Sequence, residues 1–127
     1  MNTIRKVLLV DDDEDIRTIG HICLSRVGGW ETLLAASGEE GLRIAEAELP
    51  DVVLLDVMMP GMDGPTVLAR LRANPATAGI AVVFLTAKVQ RGDLGHYVAL
   101  GARGAIAKPF DPMRLPHEVR RIVARAP

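Results

Sequence analysis

Four apolar residues stand unbroken between two acids in Asp51-Val52-Val53-Leu54-Leu55-Asp56, and similar short runs recur at Val7-Leu8-Leu9-Val10 and Ile80-Ala81-Val82-Val83-Phe84-Leu85. A strand with one face in water alternates apolar and polar residues, whereas a strand covered on both faces does not. These runs are too short for ordinary helices and partly β-branched, so they predict buried strands. Trp30 to Ala35 and the short Ala105 to Ala107 read as two more. Helical spacing fills the gaps. Ile16, Ile19, Cys23, Leu24 and Val27 form a stripe that Gly28-Gly29 closes. Ser37 and Glu40 have the spacing of a capping box and open a helix to about Glu48. A turn-rich stretch, Met59 to Pro65, leads into a third helix carrying Val67, Leu68 and Leu71, which ends near Asn74-Pro75. Leu94 and Val98 suggest a fourth over Arg91 to Leu100, short or mobile because of Gly92 and Gly95. Asp111-Pro112 reads as a cap followed by proline at the first position of a last helix, with Leu115, Val119, Ile122 and Val123 on one face. Strands alternating with helices predict an α/β fold, a doubly wound parallel sheet covered on both sides.

With 127 residues and 49% hydrophobic composition, the chain is expected to form a single domain over residues 1–127, with no linker and no output domain after Pro127. The opening Met1 and the absence of a tag favour a whole protein. The net charge of −1 gives no support for nucleic-acid binding driven by bulk charge. Arg114, Arg120, Arg121 and Arg125 make the last helix basic, but cations near a helix C-terminus are favourable through the dipole alone. No run reaches the roughly 20 apolar residues of a membrane span, and no signal peptide is evident. The single cysteine, Cys23, excludes an internal disulfide, fits a reducing compartment and lies on an apolar stripe as an inert thiol. A cytoplasmic location is expected.

The polar residues at the strand ends carry the chemistry. Asp11 and Asp12 follow the first strand, Asp56 the third, Thr86 the fourth and Lys108 the fifth. Ligand sites on open α/β sheets lie beyond the carboxyl ends of the strands. Carboxylates gathered there repel one another by roughly 4 kcal/mol per pair at about 4 Å and an effective dielectric of about 20. A hard divalent ion with oxygen ligands, Mg²⁺ above all, removes that conflict. A carboxylate can also serve as the nucleophile in phosphoryl transfer; Asp56, alone on its strand, is the candidate. Lys108 and Thr86 would each neutralise or bind one phosphoryl oxygen. A cis Lys108-Pro109 peptide would aim the lysine into the site, but cis is only about 5–6% of X-Pro bonds, so the sequence alone does not support it. Singly, each residue has a plainer reading as a cap, a turn residue or a solvated acidic helix start. Their combination at the ends of four strands does not.

Leu8-Leu9-Val10-Asp11-Asp12-Asp13, Leu55-Asp56-Val57-Met58-Met59-Pro60-Gly61-Met62-Asp63-Gly64, Leu85-Thr86-Ala87 and Ala107-Lys108-Pro109-Phe110 resemble the receiver domain of two-component response regulators, nearest the stand-alone chemotaxis type. The resemblance runs from about Arg5 to Arg125. It implies a flavodoxin-like (βα)5 fold with strand order 2-1-3-4-5. It implies Asp56 as phosphoacceptor, Asp12 as direct metal ligand, Asp11 as its partner, and the carbonyl of Met58 as a further ligand of Mg²⁺. Thr86 would be the switch hydroxyl and Lys108 the invariant-type lysine of the family pattern. The donor would be a phosphohistidine on a sensor histidine kinase or a histidine phosphotransfer protein. The chain would then be no enzyme beyond its own phosphorylation and dephosphorylation, acting on a downstream target protein as a monomer or weak dimer.

Two positions depart from or refine that pattern. Family members often carry an aromatic residue three before the lysine; here it is Ala105. Tyr97 is a substitute candidate, though a surface aromatic is the plainer expectation. Met58 and Lys88, two residues after Asp56 and Thr86, flank the expected path of the hydrolytic water and would slow it. A phosphotransfer intermediate or phosphate sink without its own output is the alternative function, which Ala105 favours slightly. A Mg²⁺-dependent phosphatase is disfavoured, because that class carries an acid where Met58 stands.

Overall fold

Val52–Asp56 (β3) is the middle strand of a five-stranded parallel sheet, ordered β2-β1-β3-β4-β5, in a computed structural model that describes residues 3–87 and 91–124. Its neighbours are Lys6–Val10 (β1) and Ala81–Thr86 (β4), with Glu31–Ala35 (β2) and Gly104–Ala107 (β5) at the edges. Every residue of β3 is buried, as an unbroken apolar run requires. The helices are Glu14–Ile22 (α1), Gly38–Glu48 (α2), Gly64–Ala73 (α3), Arg91–Ala99 (α4) and Leu115–Ala124 (α5).

The sheet separates two apolar layers. Val7, Leu9, Val52, Leu54, Val83, Leu85 and Ile106 face one layer, where Cys23, Leu24 and the α5 residues Leu115, Val119, Ile122 and Val123 cover them. Leu8, Val10, Val53, Leu55, Val82 and Phe84 face the other, against Ala45 of α2, Val67, Leu68 and Leu71 of α3, and Tyr97 of α4. Alternate residues along each strand thus serve opposite faces.

At α2 the Ser37 cap forms as expected, while the return bond of Glu40 goes to the residue before the cap. The Ser37 hydroxyl accepts from the Glu40 amide at 3.2 Å, and the Glu40 carboxylate accepts from the Ala36 amide at 2.6 Å. Elsewhere the structure moves the expected bounds. The second strand begins at Glu31, because the Trp30 amide donates to the Leu24 carbonyl at 3.2 Å. α5 begins at Leu115, preceded by a turn over 112–114 in which the Asp111 carboxylate accepts from the Met113 amide at 3.0 Å. The Lys108–Pro109 peptide is cis, not trans.

Two apolar stripes are arranged differently from their spacing. α1 passes at Cys23 into a π-helical turn, Cys23–Val27, where the Gly28 amide reaches back five residues to the Cys23 carbonyl at 3.0 Å. That turn breaks the helical period. Cys23 and Leu24 are buried, while Ile19 and Val27 are exposed. Gly20, packed directly against Leu9, takes the place on the sheet that Ile19 was expected to fill. In α4, Leu94 and Val98 are exposed and Tyr97 turns inward at 8% exposure, so Tyr97 is a core residue and not a surface aromatic.

Candidate functional site

Hydrogen bonds carry the sheet past its strand ends and fix where each polar side chain emerges. The Asp11 amide donates to the Ala35 carbonyl at 3.1 Å, Val57 to Leu85 at 3.1 Å and Lys108 to Thr86 at 2.8 Å. Asp11 therefore leaves β1, Asp56 closes β3, Thr86 closes β4 and Lys108 follows β5, all at one edge of four neighbouring strands.

The Lys108 ammonium bridges two acids, at 2.9 Å from Asp11 Oδ2 and 3.3 Å from Asp56 Oδ1. Asp11 is fully buried, and its other oxygen accepts from the Asp13 amide at 2.9 Å. Arg17 on α1 donates to the Asp11 carbonyl at 2.8 Å and braces the turn. Asp56 is 4% exposed and accepts from the Met58 amide at 3.3 Å. Asp12 is exposed at the mouth. Thr86, buried, sits one residue beyond Leu85, which is the register partner of Asp56. The Met58 side chain is 77% exposed at the rim. Lys88 lies outside the described residues.

Burial pushes the Asp56 carboxyl from 3.8 up to about 6, and the Asp11 charge adds to the rise; the Lys108 charge and hydrogen bond oppose it without cancelling it. Burial by itself would lower Lys108, but its bond to Asp11 and the charges of both acids outweigh that and hold it above the ordinary lysine value. One lysine thus does not satisfy the acids. Asp11, Asp12 and Asp56 each offer an oxygen, all within 4.8 Å of one another. This all-oxygen set, with one partner solvent-facing, can hold a hard divalent cation that keeps open positions.

Sequence reasoning located these residues but not what holds their loops. Asp13 caps α1 by accepting from the Asp15 amide at 2.9 Å, and Asp63 caps α3 by accepting from Thr66 at 2.9 Å. Both follow the ordinary cap pattern. Gly64 is less legible. A Cβ there would lie 2.6 Å from the Asp56 carbonyl oxygen and 2.9 Å from Val57 Cα, both backbone atoms. Gly64→Ala is accordingly expected to cost about 2–3 kcal/mol, the upper part of the overpacking range, read from its urea midpoint, and to displace the loop beside Asp56.

Known proteins resemble this chain in sequence and in fold. The chain is 38% identical over 122 residues to the alkaline phosphatase synthesis transcriptional regulatory protein PhoP of Bacillus subtilis, covering 96% of this chain and 50% of that protein. It is 39% identical to the response regulator PleD of Caulobacter vibrioides, covering 92% of this chain and 26% of that one. The chain thus spans about half the length of PhoP and less of PleD. Among solved structures, the chemotaxis response regulator CheY4 of Vibrio cholerae superposes with a TM-score of 0.87 at 32% identity, covering 94% of this chain and 99% of that one. A putative response regulator from Chloroflexus aurantiacus gives 0.85 at 36% identity, covering 97% and 100%. A family model described as the response regulator receiver domain matches residues 7–120, and on these grounds the chain belongs to the response regulator receiver domain family.

Proposed function

We propose that Asp56 accepts a phosphoryl group from a phosphohistidine on a sensor kinase or phosphotransfer protein, and that the resulting aspartyl phosphate switches a protein-binding surface. The observation that carries this reading is the position of Asp56, salt-bridged to Lys108 at 3.3 Å and within 4.8 Å of the oxygens of Asp11 and Asp12. Asp11 is a poorer acceptor, fully buried with both oxygens already engaged.

In the transfer, an Asp56 oxygen bonds to phosphorus as the P–N bond breaks, its electron pair staying on the imidazole, which takes up a proton. The Lys108 ammonium lies where it can follow from the carboxylates to a phosphoryl oxygen, and the Thr86 hydroxyl serves a second. Asp11, Asp12, Asp56 and the Met58 carbonyl would hold Mg²⁺, which when bound withdraws charge from the phosphoryl oxygens. Water later attacks the phosphorus and returns the Asp56 carboxylate and inorganic phosphate. No other substrate is turned over, so the chain is a switch and not an enzyme in the ordinary sense. Among the described residues no helix is long and apolar enough to cross a membrane, which accords with action in the cytoplasm. The output surface is that of α4, β5 and α5, used by the chain as a monomer or weak dimer. A relay or phosphate sink would need no route from Asp56 to that surface; the packing of Tyr97 on Phe84 supports a route.

Intact mass after incubation with acetyl phosphate and Mg²⁺ tests the reading. Wild type is expected to gain one phosphoryl group, and to gain none in EDTA or as Asp56→Asn. No gain in wild type would leave only a docking role independent of phosphorylation. Met58→Ala is expected to release inorganic phosphate several-fold faster by uncovering the path of the hydrolytic water. An unchanged rate would mean that the burial of Asp56 sets the lifetime without help from Met58.

A further inference from the structure

We infer that Phe84 and Tyr97 form the mechanical link between the phosphoacceptor loop and helix α4, with Tyr97 as the anchor through which that helix responds. The inference rests on the phosphorylation of Asp56 proposed above and names the route by which it is regulated.

The link starts at backbone level. The Gly64 amide donates to the Val57 carbonyl at 2.9 Å, closing the loop that leaves Asp56. A Cβ at Gly64 would stand 2.6 Å from the Asp56 carbonyl oxygen on one side and 3.1 Å from the Phe84 ring on another. The backbone that carries the phosphoacceptor, the start of α3 and the Phe84 ring therefore lie in close succession, with no room at Gly64 for even a methyl group. Phe84 itself is fully buried.

The Tyr97 ring packs on Phe84 with centroids 4.9 Å apart and planes tilted by 55°, a favourable aromatic geometry. Ala105 makes room for it. It is the register partner of Phe84 on β5 and packs against the same cluster, and its methyl group leaves the space beside Phe84 to a ring supplied from α4. Tyr97 is the one buried side chain of α4 among those described; Leu94, Gly95, His96, Val98 and Ala99 are exposed. With one buried side chain among those described, the helix has few apolar contacts opposing its movement. When Phe84 shifts, Tyr97 must shift with it, and Leu94 and Val98 on the outer face are re-presented.

The chain has one tyrosine, so 3-fluorotyrosine labelling places the fluorine signal at Tyr97 alone. The labelled protein is treated with acetyl phosphate and Mg²⁺, with the phosphorylated fraction read by intact mass. The Tyr97 signal is expected to move by more than its line width in proportion to that fraction, and to stay still in Asp56→Asn. In Phe84→Leu, phosphorylation is expected to persist while most of the shift is lost. Should Phe84→Leu not fold, Tyr97→Leu is followed by amide hydrogen exchange over residues 91–99, where the phosphorylation-dependent change seen in wild type is expected to vanish. A wild-type protein that is phosphorylated with an unmoved Tyr97 signal overturns the link. So does a full shift in Phe84→Leu, or an unchanged exchange response in Tyr97→Leu. Failure of wild type to gain any phosphoryl group overturns the proposed function itself, and the link with it.

Discussion

Asp56→Asn is expected to be more stable than wild type in EDTA at pH 7.5, by about 2–3 kcal/mol at about 1.4 kcal/mol for each tenfold change in proton affinity. The physical cause is the cost of holding Asp56 charged. Burial first, and the neighbouring Asp11 second, raise its carboxyl from 3.8 to about 6 despite Lys108. The folded state therefore binds this proton more tightly than the unfolded state does. Between pH 3.8 and about 6 the folded chain carries more protons at this site, so the contribution of Asp56 to stability falls as pH rises through that window. It is most favourable below 3.8, where both states are protonated, and reaches its lower plateau above about 6. Asparagine does not titrate. The gap between the two proteins should open across the window and remain constant above it. Urea midpoints at pH 4 and pH 7.5 in EDTA check the sign. Equal stability at pH 7.5 would mean that Lys108 neutralises Asp56 completely. Mg²⁺ should narrow the gap, because it stabilises the wild-type carboxylate more than the amide.

Lys108→Ala is expected to act in the opposite direction, lowering stability in EDTA by about 3 kcal/mol, the scale for removing one partner of a buried ion pair. The lysine lies 2.9 Å from Asp11 and 3.3 Å from Asp56, both buried. Without it, the two acids face each other with no cation between them, and the Asp56 carboxyl should rise further. Protonation limits the loss, so the cost is smaller at pH 5 than at pH 7.5. Combining Lys108→Ala with Asp56→Asn should recover most of the stability, since only one acid is then left to bury. If the single and double variants lose the same amount, the loss comes from the stem of Lys108 and not from its charge.

The central strands and the polar residues at their ends are legible in the sequence. The unbroken runs of β1, β3 and β4 could be recognised because burial on both faces leaves a period that no surface strand shows. Asp11, Asp56 and Thr86 could be recognised because each borders such a run, and Lys108 because it follows the short fifth strand. Two helices were less legible. In α1, Ile19 and Val27 obey helical spacing, yet Gly20 takes the sheet-facing place beside Ile19 and Val27 closes a π-helical turn, and both residues are exposed. In α4, Leu94 and Val98 looked like the core pair and Tyr97 like a surface aromatic; the inward side chain is Tyr97. Nothing local distinguishes these faces in a helix so short and interrupted by glycines.

The sequence by itself determined the parallel α/β class, the five strands and the residues that meet at their carboxyl ends, because burial and chain direction constrain those locally. The strand order came from family resemblance, and hydrogen-bond register then realised it. Only the tertiary structure decided how the charges meet and which faces turn inward. The distance of Lys108 from both acids, the rise of Asp56 to about 6 and the lack of room at Gly64 are sums over segments far apart in the chain. The same holds for Tyr97. Its ring packs on Phe84 of β4, whose register partner on β5 is the small Ala105, and neither fact is written in α4.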